Sequence, residues 1–229
     1  MEKTMKVTGK GKLSVKPDLI RLLLDVQKVC ETYEEALRES TAQTEHLKDS
    51  LESLGFARTD LKTLRFHVDT EYENYRDENN VWKNRFLGYK FTHAMKLEFD
   101  ADNRKLGQVL YALAHAKVHP EIHINYTIKD AEAAKNRLLA KAVADSKEKA
   151  KVLAEAAGVT LGEIVTIDYS WGEIEFISRP VERCMTMSAK NAAPADGYSI
   201  DIEPDDIDVT DTVTVVWEIG EEKRGMERG

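Results

Sequence analysis

One segment limits what this chain can fold into more than any other: the run from Asp130, a good helix N-cap, to Gly158, a good residue for the left-handed position that ends a helix. At 1.5 Å per residue such a helix is about 40 Å long. Its Leu138, Ala142, Val143, Ala150, Leu153 and Ala157 let it lie close on a sheet. The partner of this helix is therefore expected to be strands, which places the chain among α+β folds.

The rest of the pattern supplies those strands. Runs at Lys6 to Val15 and Leu19 to Val29 read as strands, separated by Lys16-Pro17-Asp18, whose turn chemistry makes a hairpin or a bend. In the first, Leu13 and Val15 face one way and Lys10, Lys12, Ser14 and Lys16 the other, the period of a half-buried strand. Thr32 and Glu35 then form a capping box that opens a helix with the apolar side Tyr33, Leu37, Ser40, Thr44, Leu47, Leu51 and Leu54, closed at Gly55. A second hairpin follows, with strands near Leu61 to Tyr72 and Lys83 to Phe99 around the polar tip Arg76 to Asn80.

A shorter helix is expected from about Asn103 to Ala116 on Leu106, Val109, Leu110 and Leu113. Ile122, Ile124, Tyr126 and Ile128 alternate with His123, Asn125 and Thr127 as a half-buried strand. After the long helix, strands near Glu163 to Tyr169 and Val209 to Ile219 complete the pattern. The expected fold class is thus α+β, with antiparallel or mixed sheets covered by two long helices and one shorter helix. Residues 1–220 read as one unit, divisible into two packed α+β halves of about 1–100 and 101–220. Residues 172–206 read as an irregular insert and 221–229 as a frayed tail.

Charge and composition exclude several function classes. A net charge of −8, from 41 acidic and 33 basic residues, gives no basic footprint for phosphates, so no nucleic-acid partner is expected. Apolar runs such as Leu22 to Leu24 and Val213 to Trp217 fall far short of the roughly 20 residues of a membrane span. The N-terminus enters patterned sequence without a secretory h-region, and the expected location is the cytoplasm. There, Cys30 and Cys184 are read as free thiols, since they lack Cys-x-x-Cys spacing.

The motifs of chemistry are thin. Gly9-x-Gly11 lacks the third glycine and the following helix of a phosphate loop. His115, His119 and His123 are spaced by four, but Pro120 breaks the helix that this spacing needs, and no metal site is expected. The acids Asp201, Glu203, Asp205, Asp206, Asp208 and Asp211 lack the order of a calcium loop and read as solvated. No nucleophile elbow, zinc-protease helix or cofactor motif appears, so no catalytic residue and no cofactor is assigned. The aromatic residues Tyr72, Tyr75, Trp82, Phe86, Tyr89 and Phe91 on the second hairpin stand among acids that repel phosphate, and mark a core or an oligomer interface.

Several motifs occur together in a fixed order: Gly9-x-Gly11 with Val15-x-Pro17-Asp18, Leu51-x-x-Leu54-Gly55, Asp60-Leu61-x-Thr63 and Gly88-Tyr89. Later come Ala142-x-Ala144-Asp145-x-x-x-Lys149-Ala150, then Leu153-Ala154-x-Ala156-Ala157-Gly158-Val159-x-Leu161-Gly162, and a terminal Val-x-Val strand. By these residues the chain resembles the SIMPL family, also called DUF541, over most of residues 5–220. The resemblance implies sheets covered by long helices and no agreed catalytic residues. It also implies relatives that include bacterial periplasmic proteins, some linked to ring or barrel assemblies and stress tolerance, and an animal adaptor in kinase signalling. Against that pattern the chain is expected to lack a signal peptide, and Asp205 stands where a glycine usually follows the proline before the last strand.

The function expected on these grounds is a non-enzymatic oligomeric binding or scaffold protein, self-associating through the hairpin or sheet edges. The alternatives are a hydrolase or other enzyme with its site beneath 172–206, and a signalling adaptor.

Overall fold

The computed structural model describes residues 3–169, 174–178 and 202–221. In chain order these form β1 (Thr4–Val15), β2 (Leu19–Cys30), α1 (Tyr33–Glu52), β3 (Lys62–Arg76), β4 (Trp82–Asp100) and α2 (Asn103–Ala114). β5 (Glu121–Thr127), α3 (Ala131–Ala157), β6 (Val159–Tyr169), β7 (Ile177–Ser178) and β8 (Ile207–Glu221) follow. The class is α+β as expected, with long helices α1 and α3 of 20 and 27 residues and the shorter α2 of 12.

The chain forms two compact units, one drawing on Met1–Lys16, Ile128–Ile177 and Asp206–Gly229, the other on Pro17–Thr127 and Ser178–Asp205. This division differs from halves meeting near residue 100. Leu106, Val109 and Leu113 of α2 complete the core that β2 and β4 begin, so α2 stays with the strands before it.

In the first unit the sheet order is β1-β8-β6, with β1 antiparallel to β8 from Thr4 opposite Glu218 to Val15 opposite Ile207. β1 therefore does not form a hairpin with β2, and Lys16-Pro17-Asp18 is a bend between strands of different sheets. The long helix α3 lies directly on β1, and Gly9-x-Gly11 is the reason it fits. A Cβ at Gly9 would stand 2.0 Å from the Ala142 carbonyl oxygen, and one at Gly11 2.2 Å from that of Leu138. The glycine pair is thus a backbone-to-backbone docking strip. Around it Val7, Val213, Val215 and Trp217 bury against Ala142 and Ala150, and Leu13, Ile207 and Val209 against Ala134 and Leu138. The indole N–H of Trp217 finds no acceptor in this core.

In the second unit the sheet order is β3-β4-β2-β5-β7, and β2 pairs antiparallel with both β4 and β5. Ile20, Leu22, Leu24 and Val26 of β2 point to one face, where they meet Phe91, Met95 and Leu97 of β4, Ala36, Leu47 and Leu51 of α1, and the apolar stripe of α2. α1 starts where its capping box predicts, the Glu35 N–H donating to Thr32 Oγ1 at 3.2 Å. Its buried stripe is Ala36, Ser40, Leu47 and Leu51, while Tyr33 and Leu37 stay exposed.

Candidate functional site

β4 is 19 residues long, yet only Tyr89–Asp100 pairs with β2, the ladder ending at Cys30 opposite Tyr89. Gly88 marks the exit: its φ of 138° is open to glycine alone, and a Cβ there would stand 2.1 Å from the Cys30 carbonyl oxygen. Past this point β4 has, among the described residues, β3 as its only partner, so Tyr72–Arg76 and Trp82–Phe86 leave the sheet as a two-stranded arm. Register shifts at Thr63/Arg65 and Glu71/Tyr72 bracket the straight part of β3 before the arm.

The arm is ordered by its own side chains. Tyr72 faces Phe86 edge-on at 5.5 Å between ring centres, Phe86 meets Tyr89 at 5.5 Å, and Tyr89 meets Tyr33 of α1 at 5.9 Å. Arg76 lies over the Trp82 ring at 4.7 Å, and Arg85 pairs with Glu73 while lying near the Tyr75 ring. At the tip the Asp77 carboxylate accepts from the N–H groups of Asn79 and Val81, and from Lys83 Nζ at 2.7 Å. Lys83 above all, with the Val81 N–H, holds the Asp77 carboxyl below its usual range.

Of the six aromatic residues expected at an interface, Trp82 (64% exposed), Tyr72 (56%), Phe86 (47%) and Tyr75 stand open to solvent on the arm. Tyr89 is half-buried at its base. Phe91 is a correction: it is wholly buried in the core of the second unit, because β4 at that point lies between β2 and β3 beneath α1. Sequence reasoning missed the exposed Leu64, Phe66, Val81 and Leu87, and assigned Tyr33 to the buried stripe of α1. A tyrosine in the first turn of a helix leading out of a strand carries no local signal of whether a sheet or solvent lies beyond it.

Beside the arm's base, α1 and the β3–β4 sheet enclose a groove of about 550 Å³ with His93 on its floor and Leu37, Ser40, Thr44, Thr63 and Phe66 among its walls. The sequence did not point to His93. The Thr44 hydroxyl donates to the Ser40 carbonyl at 2.8 Å, so toward His93 Nδ1, 3.1 Å away, it acts as acceptor. Nδ1 therefore carries the imidazole proton and Nε2 accepts from the Thr63 hydroxyl at 2.8 Å. Burial first, and the Lys48 charge second, push the His93 pKa down, which keeps the ring neutral. With a proton on Nδ1, the ring cannot act as a base toward Ser40, whose oxygen lies 3.5 Å from that nitrogen. His93 ties α1, β3 and β4 together.

The other residues weighed in the sequence lie apart. His115 caps α2 and bonds the Tyr111 carbonyl at 2.8 Å, while His123 on β5 faces Glu121. Among the described residues no group of three or more His, Cys, Asp or Glu gathers as a metal site. Cys30 is a buried free thiol whose pKa burial raises. Cys184, Asp201 and most of the 172–206 segment lie outside the described residues, and with them the floor expected for an enzyme site there. No described helix is long and apolar enough to cross a membrane.

Comparison with known proteins agrees with the motif order. The "26 kDa periplasmic immunogenic protein" of Brucella melitensis biotype 1 is 28% identical over 218 residues, spanning 93% of this chain and 83% of the relative. The protein of the same name from Brucella abortus (strain S19) matches with the same identity and coverage. The sequence model of the SIMPL family, described as "Protein of unknown function (DUF541)", matches residues 5–217. With that match running from β1 into β8, the chain belongs to the SIMPL (DUF541) family.

Proposed function

We propose that this chain is a non-enzymatic, oligomeric binding or scaffold protein that assembles through the β3–β4 arm. The observation that supports this reading is the exposure of Trp82, Tyr72 and Phe86 on a ribbon that leaves its sheet. Large aromatic groups bury much area on association with little conformational freedom to lose, which is why they are enriched at interfaces. A two-stranded ribbon is marginal in water by itself, and docking against a neighbour covers rings that the parent sheet leaves open. Replacing Tyr75 to Asn84 by Asn-Gly removes the tip and Trp82. Light scattering after size-exclusion chromatography at micromolar concentration is expected to show a smaller species with unchanged far-ultraviolet circular dichroism. An unchanged mass would reject the arm as the assembly element.

The Brucella relatives carry a periplasmic name, and the expectation of a cytoplasmic chain stands against it. Cell fractionation against marker proteins of both compartments decides between them.

A further inference from the structure

β3 is the terminal strand of its sheet, and among the described residues no strand pairs with its outer edge. Between the two register shifts, Arg65–Glu71 is one regular run whose midpoint is Val68. The order of side chains along it is Arg65, Phe66, His67, Val68, Asp69, Thr70, Glu71: two basic positions before the midpoint and two acidic positions after it. Turned end for end about Val68, this sequence complements itself. Arg65 falls opposite Glu71, Phe66 opposite Thr70, His67 opposite Asp69, and Val68 opposite its own copy. Just outside the run, the exposed Leu64 falls opposite the exposed Tyr72, the residues at the two irregularities. Among the described residues neither Arg65 nor Glu71 forms an ion pair within its own chain, whereas His67 already meets Asp69 of its own strand at 3.2 Å, so the Arg65–Glu71 pairs carry the charge complementarity.

We infer that two copies of this chain pair antiparallel along the outer edges of β3, in the register that places Val68 opposite Val68. This names the partner for the oligomeric reading above and rests on it. An open edge is a template for a further strand, and opposite charges placed directly across a pair of strands select both orientation and register. Slipping the pairing by two residues sets Asp69 against Asp69 or His67 against His67. The central register avoids both contacts. In the paired state the base of each arm lies beside the start of the partner's β3, so Tyr72 of one copy covers Leu64 of the other.

Cross-linking reads the register directly. Residues directly opposite in an antiparallel pair have Cα atoms about 4.5–5.5 Å apart, within disulfide reach. Two copies of residue 70 would stand four positions apart along the strands, about 13 Å. In a Cys184→Ser background, mild oxidation is expected to convert Val68→Cys to a covalent dimer and leave Thr70→Cys monomeric on a denaturing gel. Arg65→Glu is expected to weaken association about tenfold or more by setting like charges opposite each other, and Arg65→Glu with Glu71→Arg to restore it. Far-ultraviolet circular dichroism of each variant confirms that the fold is kept.

Equal cross-linking of Val68→Cys and Thr70→Cys, no cross-linking of Val68→Cys, or a charge reversal without effect on the mass would overturn the pairing. A wild-type monomer at micromolar concentration defeats the oligomeric reading as a whole. An oligomer that shrinks when the arm is shortened, while Val68→Cys stays unlinked, defeats the β3 pairing alone.

Discussion

At the scale of single residues, the second unit hangs part of its stability on a neutral imidazole. His93 is 8% exposed and its folded pKa is depressed, so between that depressed value and the ordinary value of about 6.5 the unfolded chain binds the proton that the folded chain refuses. Stability from this group is therefore fully present above about pH 6.5 and falls as the pH drops below it. Urea titrations of wild type and His93→Asn at pH 5 and pH 7.5 are expected to show a smaller difference between the two pH values in the variant. An equal difference would mean that His93 does not carry that slope. Two positions in the first unit test packing in opposite directions. Gly9→Ala drives a methyl group into the Ala142 carbonyl and is expected to cost about 1–3 kcal/mol or more. Trp217→Phe removes an indole N–H that has no acceptor, and the relief offsets much of the lost volume. Its cost is expected to stay within about 1 kcal/mol, well below the usual 3–5 kcal/mol of truncating a core tryptophan to alanine. Denaturant midpoints at constant m report both values.

At the scale of elements, what could be read from the sequence was whatever local chemistry decides. Thr32 and Asp130 cap their helices with the expected side-chain acceptors, and Gly158 ends α3 in the left-handed conformation at φ 65°. The strand ends differ from those the pattern predicts, because a ladder continues as long as its partner does. Partners themselves are not local: β1 pairs with β8 across some two hundred residues, and nothing near Lys16 says so. The burial of Phe91 beside the exposure of Phe86 has the same origin. A single alternating strand serves first as arm and then as core, and the only mark of the change is Gly88. His93 is not legible in the sequence, since a histidine in an alternating strand resembles any other polar residue until the hydroxyls of Thr44 and Thr63 converge on it. Gly88→Ala tests the reading of that junction. The added methyl meets the Cys30 carbonyl and the φ of 138° becomes strained, so about 1–3 kcal/mol of destabilisation is expected, together with loss of the Tyr33–Tyr89–Phe86 ring contacts. Urea unfolding and near-ultraviolet circular dichroism in the tyrosine band measure the two effects.

At the scale of the whole molecule, the two units are unequal in how the chain supplies them. The second draws most of its sheet and both of its helices from the continuous stretch Pro17–Thr127, whereas the first brings together strands from both ends of the chain. Its β1 supplies Gly9, Gly11, Val7 and Leu13, against which α3 lies, and no other described strand offers α3 a backbone stripped of side chains. A fragment of residues 17–127 therefore carries nearly all of the described core of its unit, lacking among the described residues β7 and Ile202, and is expected to fold by itself with reduced stability. A fragment of residues 128–229 has α3, β6 and β8 but no β1, so Leu138, Ala142 and Ala150 keep their β8 neighbours and lose the glycine strip, Val7 and Leu13 that close the rest of their surface. It is expected to be protease-sensitive and to lack a cooperative transition. A synthetic peptide of residues 1–16 added in trans is expected to restore protection, and the same peptide with Gly9→Val and Gly11→Val is not. If the 128–229 fragment unfolds cooperatively without the peptide, β1 is not the element that completes that unit.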